Sequence, residues 1–283
     1  MTRQASEFWE RLIPFECEGL VRIGSRFDGG YVHSLRTVQD SRALLSFGID
    51  INWDFEKDFQ KLSSCKTVHA YDYTISKWRF FSSLAQETKK KIRGSLTRSP
   101  KKRHVMKRLE LLAGFYTTFS EPNAFFQQKI SSRSSREEAT VADCLKRLAS
   151  FNGKIFLKCD IEGSEYEIID ELVNFSNRFS GLVIEFHDVD QSPEPFMQAT
   201  EKLQKKYYCV HTHINNCGDV NFKTGVPELV EMSFNNLSYA KNGLLKSSRV
   251  YPVPGLDFPN TPLAPDISIV PGVRAKEARI PAS

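Results

Sequence analysis

Five short apolar runs, each closed by a polar residue and separated from the next by loop or helix-spaced sequence, constrain this chain more than any other feature. They are ALLSF from Ala43, TVHAY from Thr67, KIFLKCD from Lys154, GLVIEFH from Gly181 and YYCVHTHI from Tyr207. Runs this short fall well below the roughly 18 apolar residues of a membrane helix and fit strands buried on both faces. The intervening stretches carry helical spacing. Phe55, Phe59 and Leu62 follow a candidate N-cap at Asp54; Val141, Leu145 and Leu148 share a face; Tyr166, Ile169, Leu172 and Val173 do the same, and a further helix lies near 196–206. Further strands are expected at 124–130 and 228–234. Strands alternating with helices predict an α/β fold with a mostly parallel sheet.

Three stretches lie outside that pattern. Residues 1–40 read as an amphipathic helix and a hairpin flap, VRIGS and YVHSL around a turn at Asp28-Gly29-Gly30. Residues 41–250 form the α/β domain. Residues 251–283 hold seven of the thirteen prolines and read as an irregular arm or tail. The third stretch is an insert within the domain, at 77–110. Between Lys77 and Arg108 stand twelve Lys or Arg against one acid, Glu87, a local charge of +11. The formal charge of the whole chain is +5, so the remainder stands at −6. Charged residues at 26% and AVILMFWYC at 40% exclude a disordered or disulfide-dense chain. The six cysteines show no CxxC pair, and MTRQASEFWERLIPF lacks a secretory apolar run, so a reducing, cytoplasmic setting is expected.

In an open parallel sheet ligands bind at the carboxyl ends of the strands, and polar residues gather there in this chain. Gly48 closes the first strand, Asp72 the second, Asp160 and Glu162 the fourth, and Glu185, His187 and Asp188 the fifth. Taken singly, each of these is as well explained by a helix cap or turn. Gly48 allows a ligand to approach the backbone. Asp72, 24 residues later, stands near the offset of about 20 at which an acid binds ribose hydroxyls. SFGIDIN has one glycine where a dinucleotide loop needs three, which favours an adenosine cofactor without a pyrophosphate.

The segments LLSFGIDINWDFE, VHAYDYT, TVADCL, FLKCDIEGSEYEIIDEL and LVIEFHD resemble, in order, the motifs of the FkbM-type methyltransferases. KCDIEGSEYEII, from Lys158, is the most specific of them, and DGGYV, 28–32, resembles a segment of a subgroup. The resemblance spans about residues 20–235. It implies a Rossmann-like class I fold with a seven-stranded sheet, S-adenosylmethionine as cofactor, and O-methylation of a sugar, glycan or lipid-linked saccharide precursor. Cofactor contacts are expected at Phe47, Gly48, Asp50, Asp72, Tyr73 and Asp143.

Methyl transfer needs alignment of donor and acceptor and removal of the acceptor proton. Asp160, Glu162, Glu185 and His187 are the groups placed for this, with His187 the expected base. Two metal arrangements are open: zinc on Cys209, His211 and His213, and Mg²⁺ or Mn²⁺ on Asp160, Glu185 and His213. The basic insert is explained equally by a solvated helix face or by attraction of an anionic acceptor. With Trp78, Phe80 and Phe81 beside it, peripheral membrane contact and nucleic acid stay open as partners. Two other functions are open: a metal-dependent glycosyltransferase using Asp188 and Asp190, and a noncatalytic polyanion-binding protein.

Overall fold

The computed structural model describes residues 3–75, 110–191, 193–240 and 243–270. The basic insert up to 109 and the segment from 271 onward lie outside the described residues. Helix α1 (Arg3–Leu12) leads into a hairpin, β1 (Leu20–Gly24) and β2 (Gly30–Ser34), and a short helix, α2 (Leu35–Asp40). The main sheet follows as β3 (Ser41–Phe47), α3 (Asp54–Leu62), β4 (Thr67–Tyr71), a helical stretch at 110–118, and β5 (Ala124–Phe126). A small pair, β6 (Lys129–Ile130) and β7 (Glu138–Ala139), precedes α4 (Val141–Arg147). Then come β8 (Lys154–Cys159), α5 (Glu165–Asn174), β9 (Phe179–Phe186), α6 (Pro193–Gln204), β10 (Tyr207–Ile214) and β11 (Val230–Asn236).

The seven-stranded sheet runs β10-β11-β9-β8-β3-β4-β5. Counted along the chain, that order is 6-7-5-4-1-2-3. All strands run parallel except β11, which enters antiparallel between β9 and β10. This is the Rossmann-like class I topology. The chain builds outward from β3 to β5, then returns to lay β8 on the other side of β3, so the order reverses between β3 and β8. A crevice opens at such a reversal because the helices that follow its two strands leave toward opposite faces.

Strand alternation sorts the core into two faces. Ala43, Leu45 and Phe47 of β3, with Ile155, Leu157 and Cys159 of β8, pack on the face covered by α1, α4, α5 and α6. Leu44, Phe156 and Val183 pack on the other, under α3, α2 and the hairpin, where Phe156 meets Phe59 at 4.8 Å between ring centroids. By the same alternation Lys158 and Glu185 point to the hairpin face. The hairpin is fixed to β11 by Ser233 Oγ donating to Val32 O at 2.6 Å. The described part of the proline-rich segment is docked: Tyr251 pairs with Ile269, and both side chains are buried. Among the described residues no helix is long and apolar enough to cross a membrane.

Candidate functional site

At the carboxyl edge, beside the reversal, a cleft of about 390 Å³ is lined by Gly48, Asp50, Asp72, Tyr73, Lys158, Asp160 and Glu162 together with Asp28 from the hairpin turn. Gly48 is fixed by sterics. Its φ is +72°, and a Cβ there would lie 1.6 Å from the Asp160 carbonyl oxygen. The strand ends therefore touch through bare backbone, with Asp160 N donating to Phe47 O at 2.9 Å and the buried Lys158 ammonium donating to Gly48 O.

Asp72 organises the loop. Its Oδ2 accepts from the amides of Ile49 and Asp50 at 3.1 and 2.9 Å, and its Oδ1 from the amide and hydroxyl of Thr74 at 2.7 and 2.6 Å. Asp50 sits at φ +40° and Tyr73 is 56% exposed at the mouth, while the Phe47 side chain is buried in the core beneath. Asp143 closes a capping box on Thr140 at the start of α4. Hydrogen bonds from Ser134 and Thr140 hold its carboxyl down at about 2. It is not among the residues lining the cleft.

The signature KCDIEGSEYEII supplies the next layer. Glu162 stands at φ +54°, and so does Asp188, just beyond the end of β9. Non-glycine residues held in this region carry strain of the kind found at functional sites. Glu165, fully buried, accepts from the amides of Ile161 and Gly163 at 3.0 and 3.2 Å and meets His187 Nδ1 at 2.9 Å. His187 Nε2 lies 3.5 Å from Glu162 and 3.8 Å from Asp160. Burial pulls the His187 pKa down, but the hydrogen bond and charge of Glu165, then the charges of Glu185 and Asp160, outweigh it and leave it pushed up to about 10. His187 is accordingly a cation at neutral pH. That differs from the free base expected from sequence.

Behind this layer Tyr31 Oη lies 3.0 Å from Asp160 Oδ2 and 2.9 Å from Glu185 Oε2. Asn215 Nδ2 donates to Glu185 Oε1 at 2.7 Å, and Asn260 Nδ2 to Glu231 Oε1 at 2.6 Å. His213 meets Glu231 Oε2 at 3.1 Å through Nδ1 and Asp266 at 2.9 Å through Nε2. Burial lowers the His213 pKa, and the hydrogen bonds to Asp266 and Glu231 more than reverse this, to about 10.

The expected metal sets are not assembled. Asp160 and Glu185 meet through Tyr31, while both nitrogens of His213 are engaged elsewhere. A register shift between Cys209 and His211 breaks the alternation on which the zinc set rested. Cys209 then packs into the helix-side core and His211 Nε2 turns to Asp257 at 2.8 Å. Two other groups of ligand atoms converge among the described residues, Asp160-Glu162-His187 and Asp28-Glu185-Glu231. In the first, His187 is tied to Glu165 through Nδ1 and its Nε2 pairs with Glu162 and Asp160 at 3.5 and 3.8 Å; in the second, every oxygen of Glu185 and Glu231 already meets a hydrogen-bonding partner. Neither is read as a metal site. Asp188 and Asp190 belong to neither group.

Sequence reasoning assigned no site role to Asn215, Glu231 or the arm residues Asp257, Asn260 and Asp266, nor individually to Tyr31, Lys158 and Glu165, although these three lie within the DGGYV and KCDIEGSEYEII motifs. Lys158 and Glu231 carried a signal, because a charge within an apolar strand run is buried wherever the strand is. The arm residues carried none.

No family model matches the chain, and no curated protein does. Solved structures similar to it include precorrin-6y C5,15-methyltransferase from Geobacter metallireducens, at 13% identity over 71% of this chain and 85% of that one, TM-score 0.33. M. jannaschii TYW2 in complex with AdoMet matches at 10% identity over 71% and 73%, TM-score 0.30. A protein of the NADB-Rossmann superfamily from Streptococcus agalactiae matches at 10% over 83% and 68%, TM-score 0.31. Likenesses this distant carry no argument; the fold assignment rests on the strand order itself.

Proposed function

We propose that this chain is an S-adenosylmethionine-dependent methyltransferase of the FkbM type, acting on a hydroxyl of a sugar, glycan or lipid-linked saccharide precursor. The observation that carries the proposal is the cleft at the β3/β8 reversal. There Gly48 is pressed against the Asp160 backbone and carboxylates line the walls, without the glycine-rich cradle that a pyrophosphate needs. Such a site suits a cationic adenosine cofactor. Gly48, Asp50, Tyr73 and the Asp72-pinned backbone would hold it, with Asp160 and Glu162 facing its charge. S-adenosylmethionine supplies an electrophilic methyl group on sulfonium.

The residues do the rest. The acceptor hydroxyl must lose a proton as its oxygen bonds to carbon, and a carboxylate at the cleft is the group to take it. Asp160 has that place, since His187 already holds its proton. His187 stands at ion-pair distance from Asp160 and Glu162, so it orients both and offsets their mutual repulsion. The strand ends hold these groups with little freedom, which is what alignment of an in-line displacement requires.

An anionic acceptor fits the charge layout. The +11 insert is joined to the body near Ile75, three residues beyond Asp72 at the cleft, whereas the cleft's own side chains are mostly acidic. The insert's charge would raise the local concentration of a phosphorylated or acidic saccharide. Transfer of a labelled methyl group to a cell extract, fractionated into glycan, lipid, protein and nucleic acid, tests this. Label in glycan or lipid supports the reading, and label confined to nucleic acid or protein overturns the acceptor class.

A further inference from the structure

The Tyr31 hydroxyl has one proton and two carboxylate neighbours. Its Oη lies 3.0 Å from Asp160 Oδ2 and 2.9 Å from Glu185 Oε2, both within hydrogen-bond distance, and Tyr31 is only 2% exposed. It can donate to one of them. Facing the other it presents lone pairs, so that contact is a hydrogen bond only if the second carboxyl group carries a proton and donates it. Two ionised carboxylates on one buried hydroxyl would leave one close contact repulsive where no water screens it.

We propose that Asp160 and Glu185 share a single proton through Tyr31, held at rest on Glu185, so that Asp160 presents the negative charge to the cleft. The chain runs Glu185 Oε2–H to Tyr31 Oη, and Tyr31 Oη–H to Asp160 Oδ2. Shifting both protons one step toward Asp160 ionises Glu185 and neutralises Asp160, with no proton gained or lost.

The surroundings decide which end holds it. Glu185 is 3% exposed, while the Asp160 side chain is 25% exposed and opens on the cleft. Asp160 has the Lys158 ammonium at 3.6 Å and His187 Nε2 at 3.8 Å. Glu185 is faced by Tyr31 from β2, Asp28 from the hairpin turn, Asp160 and Lys158 from β8 and its end, His187 from the end of its own strand, Asn215 after β10 and Glu231 from β11. Burial and then the charges of Asp160, Glu231 and Asp28 push the Glu185 carboxyl well above its ordinary range, against the lowering effect of His187. A neutral acid satisfies every contact: Glu185 Oε1 accepts from Asn215 and Oε2–H donates to Tyr31. This also assigns the DGGYV segment, with Asp28 facing the buried acids and Tyr31 linking them.

That Asp160 uses its charge to take an acceptor proton rests on the proposed function; the shared proton does not. Tyr31 and Glu185 are positioning residues, acting through Asp160. The test is infrared spectroscopy of the ligand-free full chain near neutral pH, in light and heavy water. The wild-type-minus-Glu185→Gln difference spectrum is expected to show the carbonyl stretch of a protonated carboxyl group, shifted on deuteration. Gln is neutral and isosteric, so the variant should fold and keep its circular dichroism. Tyr31→Phe should move that band, because the acid loses its partner. A difference spectrum with ionised-carboxylate bands only would overturn the proposal. Should Glu185→Gln fail to fold, an unmoved protonated-carboxyl spectrum in Tyr31→Phe would overturn it equally. Failure to bind S-adenosylmethionine would overturn the proposed function and leave these spectra unchanged.

Discussion

Replacing Glu165 by Gln removes the charge that holds His187 as a cation, while keeping the side chain's size and an oxygen for the amides of Ile161 and Gly163. Burial works against the imidazolium, and the hydrogen bond and charge of Glu165 are the leading influences that overcome it, ahead of Glu185 and Asp160. In the folded protein His187 stands at about 10 against an ordinary 6.5. Because the folded value is raised, the associated stability is complete below the ordinary value and is lost as pH rises through about 10. The loss runs at about 1 kcal/mol per pH unit, or a few kcal/mol across the window. In Glu165→Gln the leading influences are gone and the remaining cleft acids, Asp160 and Glu162 among them, oppose burial less strongly, so His187 titrates well below its wild-type value and its share of the slope shrinks. Urea denaturation at a series of pH values between those limits reads the slope, and proton NMR of the imidazole reads the titration directly. His213, also raised to about 10, gives both proteins a common slope, so the His187 share is the difference between them: the wild type should lose roughly 3–5 kcal/mol more than the variant over the window. Equal slopes in the two proteins would refute the reasoning, whatever the absolute stabilities.

Three further outcomes are expected. Gly48→Ala places a Cβ 1.6 Å from the Asp160 carbonyl at φ +72°, so the strand ends must part. Thermal denaturation should show a loss of about 2 kcal/mol or more, and cofactor affinity should fall about tenfold or more. Asp72→Ala strips the acceptor from the amides of Ile49, Asp50 and Thr74, at a cost of about 2–4 kcal/mol by chemical denaturation, partly restored in Asp72→Asn; a loss under about 0.5 kcal/mol would contradict the loop-pinning role. Asp266→Asn removes one of the two carboxylates that raise His213 to about 10, so the loss of stability at alkaline pH should begin at lower pH than in wild type.

The sheet was legible because its strands are apolar runs with sharp polar ends, and TVHAY and YYCVHTHI are strands over the residues expected. The stretch 124–130 divides into β5, which pairs with β4 in the main sheet, and β6, which pairs with β7, with Gln127 and Gln128 in neither strand. Candidate site residues at strand ends could be placed in the crevice from sequence, because parallel topology fixes where those ends point. Their charge states could not be read, since they depend on partners far along the chain. His187 is set by Glu165, 22 positions earlier; Glu185 by burial beside Asp160, 25 earlier, and Glu231, 46 later; and His213 by Asp266, 53 later. The paired histidines failed as a zinc motif because one bulge in β10 reversed the face of Cys209, which a period-two reading does not anticipate. The prolines of the arm marked irregular backbone without showing that Asp257, Asn260 and Asp266 seal the buried acids of the sheet.

The most direct measurement is calorimetric titration of the full chain with S-adenosylmethionine and with S-adenosylhomocysteine. Saturable binding at one site per chain is expected for both ligands, weakened in Gly48→Ala. Heats indistinguishable from dilution for both, in a chain that is folded by circular dichroism, would contradict the assignment of the cleft.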